Sequence, residues 1–390
     1  MKGNFIDCQE RFLLDRSLRR ITNSAEGTGS RSICRQAFPA SGMLGFCLPI
    51  QACSPIAMPH LPARPVIHIF NGFQNPYGGS EQEALALHAL LKDRAEVHLW
   101  ATSSKVSRTL MRQLPIRRVA RSPGAFPTGG TYVFVGAHWR NKLWPYVVRK
   151  PRRLIYIYNT FHPKVVALTS SMPGLLGWPR TEYVLISHFQ SRLLNLPGEV
   201  HPSPIDIERF RPAPHSPHPR VVIGRMSRDV PEKHHPDDIA LYRELASNGY
   251  AVRLQGASCL AGQLTGVDGV ELAPEGALPA AAFLQELDIF YYRSHTHVET
   301  FGRVVFEAMA CALPVVCHAH GGYADAIRHG ENGFLFETTA EARQLLEQLA
   351  ADAALRARIG AAARATIEQL YSAAAQEERM GFYLRQDPAR

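Results

Sequence analysis

From Pro65 to the end of the chain, short runs of β-branched and aromatic residues alternate with stretches patterned as amphipathic helices. This alternation limits the fold more than any other feature. A strand can meet a parallel neighbour only through a crossover long enough to hold a helix, so strand–helix–strand succession predicts a parallel sheet. In the first half the expected strands are Val66–Asn71, Ala95–Trp100, Tyr132–Val135, Leu154–Tyr158 and Tyr183–Ser187, with helices over Ser80–Lys92 and His188–Leu194. The pattern stops at Pro202–Pro219, whose six prolines fit neither a helix interior nor a central strand, so this segment reads as a linker. It restarts with Arg220–Gly224, Ala251–Gln255, Val270–Leu272, Asp288–Tyr292 and Val315–His318. Two alternations in 390 residues, more than one core usually serves, predict two domains over 58–214 and 215–371. The amphipathic stretch Ser372–Leu384 predicts a terminal helix within 372–390, free to pack back on the first domain.

Residues 1–57 have no sustained period and read as an N-terminal extension outside the fold, either disordered or absent from the native protein if translation starts at Met58. The seven cysteines show neither zinc-type spacing nor a disulfide framework, so a reducing compartment is expected. No apolar run is long enough to predict a membrane-spanning helix. The net charge of +9 favours an anionic partner, which charge alone leaves open among nucleic acid, a lipid surface and a phosphorylated substrate. Two basic stretches lie in the first domain. One is Lys105–Arg121; the other is Arg140–Arg153, interleaved with Trp144 and Tyr146. Cations mixed with aromatics suit an anionic headgroup layer, and a plain solvated face explains them equally well.

The segment from Val298 to Val316 is the most informative for chemistry. It follows an expected strand, passes through Gly302 and opens a helix, so backbone N–H groups at the helix start face a phosphate-sized space. Glu299 precedes that helix and Glu307 lies within it, and a carboxylate accepts two hydrogen bonds from a vicinal diol. Arg225, Arg228 and Lys233 cluster after the first strand of the second domain, where fixed cations can neutralise a departing diphosphate. In the first domain Gly78 and Gly79 follow the first strand and permit close backbone approach, with Ser80 placed to cap the next helix. His138 and His162 follow strands and so sit where open α/β sheets bind ligands. The pairs His234/His235 and His295/His297 lack a convincing third ligand, and no metal is assigned.

Glu299 to Glu307, with the following Ala-Met-Ala and Leu-Pro-Val-Val, resembles the E-x(7)-E motif of the retaining glycosyltransferases of family 4 (glycosyl transferases group 1). The similarity extends through Gly321-Gly322-Tyr-Ala-Asp325 and Gly330-Glu-Asn-Gly333 and covers the chain from residue 65 onward. It implies an α/β protein of the GT-B fold, two Rossmann-like β/α/β domains facing a central cleft. It implies transfer of a hexosyl group from a nucleotide-sugar to an acceptor hydroxyl, with retention of configuration and without metal or cofactor. By the same resemblance Glu307 binds the nucleotide ribose, Glu299 contacts the transferred sugar, and the backbone at Phe301, Gly302 and Arg303 meets the diphosphate. Arg225 and Lys233 become the diphosphate-binding pair, Gly78 and Gly79 border the donor, and His138 positions the sugar. His234 stands where the family has glycine and the Arg-to-Lys gap is long, so Arg228 is the alternative to Arg225.

The acceptor expected from the resemblance is a glycan or a lipid-linked molecule in polysaccharide or glycolipid assembly, on the cytoplasmic side and peripheral to the inner face of a membrane. A dinucleotide-dependent oxidoreductase would show the same alternation, yet no G-x-G-x-x-G follows the first strand of either domain. A nucleic-acid-binding protein is supported by charge alone, and nucleic acid is not an expected partner.

Overall fold

The computed structural model describes residues 64–76, 78–120, 124–136, 149–161, 163–213 and 219–386. They lie in a unit running from Leu61 to Arg390. The expected extension, His138, His162 and the segment 137–148 with its tryptophans fall outside the described residues.

Among the described residues the first sheet has seven strands, all parallel: β1 (Val66–Asn71), β2 (Glu96–Ala101), β3 (Ile116–Arg118), β4 (Thr131–Val135), β5 (Arg153–Tyr158), β6 (Thr181–Leu185) and β7 (Glu199–Val200). They lie in the order β3-β2-β1-β4-β5-β6-β7. Strands β4 and β5 are buried throughout, as strands covered on both faces must be. The period of two sorts their side chains by chemistry. Ile67, Ile69, Val133, Val135, Ile155 and Ile157 form an aliphatic face against Ala84, Leu87 and Leu91 of the helix Gly79–Leu91. Phe70, Tyr132, Phe134, Tyr156 and Tyr158 form an aromatic face on the other side. Buried His68 lies among these rings and accepts a hydrogen bond from Trp100 Nε1 at 2.9 Å. Burial lowers its pKa to about 4, so the ring stays a neutral acceptor.

The second sheet repeats the plan with β8 (Val222–Met226), β9 (Ala251–Gln255), β10 (Val270–Ala273), β11 (Ile289–Tyr292), β12 (Val315–His318) and β13 (Phe334–Phe336), in the order β10-β9-β8-β11-β12-β13. Strand order reverses at β1/β4 in one sheet and at β8/β11 in the other. At such a switch point the connections leave in opposite directions and open a crevice beyond the carboxyl ends of the strands.

Two expectations need correction. The proline-rich segment is not a bare tether, because Ile205 and Phe210 bury in the same apolar cluster as Val222, Phe306 and Ile367 of the second half. Prolines deny the segment a hydrogen-bond ladder without denying it apolar contact. Ser80 does not cap its helix. That helix begins at Gly79 with Gly78 in the cap position, and Ser80 Oγ instead donates to Glu81 Oε2 at 2.9 Å.

The terminal helix Ala373–Leu384 buries Met380 and Tyr383 in the aliphatic core of the first half. Fully buried Arg153 fixes it there, pairing with Glu182 and donating to the carbonyl of Phe382 at 2.7 Å. One guanidinium thus joins β5 and β6 of the first sheet to the terminal helix. Tyr371, just before this helix, donates its hydroxyl to Ser203 O at 2.5 Å.

Candidate active site

The crevice at β8/β11 gathers most of the charged residues singled out above. Beyond β8 the chain makes a short turn, Pro231–Lys233, and Lys233 points inward with 7% of its surface exposed. Beyond β11 the chain runs from Arg293 to Gly302 before the helix Arg303–Ala310. Lys233 Nζ donates to Glu299 Oε1, and the same oxygen accepts from Tyr292 Oη at 2.6 Å. Burial works against ionising Glu299. The Lys233 ammonium and the two donors outweigh it, and the carboxyl is held below its usual range. A charge pair removed from water gains little stability over apolar residues of the same size, so its presence here points to a task other than stability.

Arg225, which the resemblance assigns to the diphosphate, lies beneath the crevice. It lies in the fully buried strand β8 with no exposed surface. Its guanidinium donates to Arg293 O at 2.9 Å and Lys233 O at 2.6 Å, and it stacks over the Tyr292 ring at 5.2 Å. A guanidinium engaged on carbonyls of both loops holds those loops in register. Arg228 is exposed and close enough to Lys233 to lower its pKa, as burial also does. The available cation is therefore the residue kept above as the alternative. Sequence reading also missed Asp238, the buried carboxylate beneath this site. It accepts from Arg293 Nε at 2.9 Å and Tyr291 Oη at 2.8 Å, and lies 3.7 Å from Arg225 Nη1. A lone aspartate at the start of a helix gives no sign of such a role in sequence.

The helix Arg303–Ala310 starts at Gly302 without a side-chain cap, which leaves its first N–H groups to other acceptors. Gly302 has φ +84°, and a Cβ there would stand 2.4 Å from the Tyr323 ring, so both backbone and space require glycine. Phe301 is buried and stacks on Phe306 with ring centroids 4.1 Å apart, which leaves its backbone as the part able to meet a ligand. Arg303 lies 3.7 Å from Glu307 across one helical turn. Burial raises the Glu307 pKa to about 7, and Arg303 and Arg209 offset part of that rise. Proton loss near neutral pH would turn this acid into a two-oxygen acceptor.

Among the described residues the first-sheet crevice is sparser. Gly79 has open space around its Cα, while a Cβ on Gly78 would meet Glu81 Oε2 at 2.3 Å. Glu81 organises this loop by accepting from the backbone of Gln74 at 3.1 Å and of Asn75 at 3.4 Å. His138 lies outside the described residues. Among the described residues no three His, Cys, Asp or Glu side chains are arranged to hold a metal ion. His234 instead bonds Gly256 O at 2.9 Å, and His235 packs edge-on to His295.

With this geometry in place, comparison with known proteins is informative. Residues 206–366 match the family described as glycosyl transferases group 1. The chain is 30% identical to the capsular polysaccharide biosynthesis glycosyltransferase CapM of Staphylococcus aureus, over 39% of this chain and 42% of that protein. It is 30% identical to a GDP-mannose-dependent alpha-mannosyltransferase of Mycobacterium tuberculosis, over 42% of this chain and 44% of that protein. These matches span less than half the length of either relative. Solved structures extend the likeness across both sheets. Anabaena Alr3699/HepE, determined with UDP and glucose, superposes with a TM-score of 0.63 at 17% identity, covering 82% of this chain and 99% of that one. WaaG, a glycosyltransferase involved in lipopolysaccharide biosynthesis, superposes with a TM-score of 0.56 at 12% identity, over 81% and 99%. The two parallel sheets form a GT-B fold, and within it residues 206–366 are similar to the glycosyl transferases of group 1.

Proposed function

We propose that the chain is a retaining glycosyltransferase that moves a hexosyl group from a nucleotide-sugar to an acceptor hydroxyl. The observation that carries this reading is the buried Lys233–Glu299–Tyr292 constellation beside the uncapped helix start at Gly302. The donor diphosphate lies against the backbone of Phe301, Gly302 and Arg303, with Lys233 and Arg228 as cations. Glu307 takes the ribose diol, and Glu299 faces the transferred sugar. As the bond between the anomeric carbon and the leaving oxygen breaks, negative charge collects on the diphosphate. Cations already fixed there stabilise that charge without reorganising. The leaving phosphate oxygen takes the proton of the acceptor hydroxyl as the new glycosidic bond forms on the same face. This sequence of steps calls on no metal or cofactor. The names of the relatives support the class: CapM is a glycosyltransferase, and HepE was solved with UDP and with glucose.

The acceptor we propose is a glycan or lipid-linked molecule of polysaccharide or glycolipid assembly, met at the cytoplasmic face of an anionic membrane. Lys105, Arg108, Arg112, Arg117 and Arg118 are all exposed, which suits such a surface. Among the described residues no helix is long and apolar enough to cross a membrane. The test is turnover: the protein is incubated with UDP-, GDP- and ADP-hexoses and hydroxyl acceptors, following nucleoside diphosphate release and the anomeric signal of the product by NMR. Transfer with the donor's own anomeric configuration is expected. An inverted product would overturn retention, and absence of transfer from every donor would overturn the class.

A further inference from the structure

Thr300 sits between Glu299 and Phe301, and its backbone is held by the opposite half of the molecule. Ser187 Oγ donates to Thr300 O at 2.5 Å in a buried setting, and Thr300 Oγ1 donates to Asn159 O at 3.4 Å. The preceding carbonyl, of Glu299, accepts from Gly322 N at 2.8 Å. Gly322 opens the turn Gly322–Asp325, and the Asp325 carboxylate reaches back to the first half. It accepts from Phe189 N at 2.6 Å and Arg192 Nη2 at 2.8 Å on the helix His188–Leu194. Ser187 caps that same helix, accepting from Gln190 N at 3.0 Å, so its single proton is free for Thr300. Two consecutive carbonyls of the loop are thus fixed, one directly and one through a turn, by residues flanking a single helix start in the first half.

We propose that Ser187 and Asp325 are positioning residues through which the first half of the chain sets the conformation of the Glu299–Gly302 loop. The inference rests on reading that loop as part of the donor site. If the halves part, Thr300 O loses its buried donor and the turn at Gly322 loses its tether. With the halves parted, water takes the place of Ser187 on Thr300 O and no longer fixes its direction, so the loop holds its arrangement most firmly when the halves are engaged. Gly322 makes the coupling tight, because a Cβ there would lie 2.1 Å from Thr300 O and the two segments cannot shift independently. A ligand that prefers the set loop must then favour engagement of the halves by the same free energy, since linkage is reciprocal. This gives the Gly-Gly-Tyr-Ala-Asp segment a task beyond packing.

The experiment uses the full chain and the variants Ser187→Ala, Ser187→Thr, Asp325→Ala and Arg192→Ala. Two quantities are read: affinity for the nucleoside diphosphate that wild type binds best, by calorimetry, and hydrogen exchange of the ligand-free protein. Ser187→Ala is expected to weaken binding about 5- to 10-fold, the loss of one buried hydrogen bond, and Asp325→Ala, which loses exposed ones, about 2- to 3-fold. Both are expected to speed exchange in peptides covering 298–306 while leaving those of β12 unchanged. Ser187→Thr keeps the hydroxyl and restores both readouts; Arg192→Ala, at an exposed ion pair, changes affinity less than twofold. Unchanged exchange at 298–306 in Ser187→Ala overturns the proposal whether or not a nucleotide binds. Wild type that binds no nucleoside diphosphate but shows the exchange response would count against the donor-site reading and leave the loop coupling standing.

Discussion

The two crevices of this molecule share a topology and differ in chemistry. Each opens where strand order reverses beside the first strand of a parallel sheet. In the first sheet, among the described residues, the loop after β1 offers two glycines and one organising carboxylate, Glu81. In the second sheet the corresponding loops rest on a buried network of Arg225, Arg293 and Asp238 and display Lys233 against Glu299. Topology makes the crevice available, and what lines it decides whether it can hold a charged ligand. Such a network of fixed charges is expensive to bury, and among the described residues it lies under the second crevice.

The largest expected effect breaks the second crevice. Lys233→Ala should lower kcat/KM about 100- to 1,000-fold, as loss of one preorganised charge stabiliser does elsewhere. Steady-state kinetics against a tenfold or smaller effect of Gly79→Ala in the first crevice measures the asymmetry directly. The next test concerns a buried acid of the first half. Glu83, on the first-half helix Gly79–Leu91, accepts from Ser203 Oγ at 2.9 Å. Burial pushes its pKa up to about 7, while Ser203, Arg303 and Arg379 offset part of the rise. A carboxyl raised in the folded state favours folding when protonated, so its contribution is fully present below its ordinary value of 4.5 and is lost as pH climbs to about 7. Glu83→Gln removes that titration. Its stability relative to wild type should therefore rise by about 3 kcal/mol between those limits, read from denaturant melts across pH.

A smaller pair of effects separates Arg225 from Arg228. Arg225→Met leaves two buried carbonyls without a donor and should cost about 2 kcal/mol of stability. Arg228→Ala should leave the melting temperature unchanged and weaken nucleotide binding about tenfold, the scale of one charge-assisted hydrogen bond. The reverse pattern would return the diphosphate to Arg225. The smallest effect belongs to the first crevice, where Glu81→Ala should cost about 1 kcal/mol by releasing the loop at Gln74.

The pattern of strands was readable because parallel strands covered on both faces need continuous apolar runs, and β1, β4, β5, β8 and β11 have them. The strands β3, β7 and β13 were missed for a physical reason. They are two or three residues long, and β3 ends on two exposed arginines, a composition suited to a sheet edge. In the site, Gly302 was visible because its backbone geometry restricts residue type, and Glu299 and Glu307 because their spacing resembles the E-x(7)-E motif. The direction of the Arg225 side chain was not visible, since a Gly-Arg step reads alike whether the guanidinium lies in a crevice or beneath it. Glu83, Ser203, Arg303 and Arg379 were missed as a group because more than a hundred positions separate the first from the second, and only the folded chain assembles them.

The most direct test of the account is calorimetric titration of UDP, GDP and ADP into wild type, Lys233→Ala and Glu307→Ala. Binding of one nucleotide to wild type, weakened at least about tenfold in both variants, is the predicted result, equal to about 1.4 kcal/mol at each contact. Binding that survives both substitutions unchanged would place the nucleotide elsewhere and contradict the assignment of the second crevice.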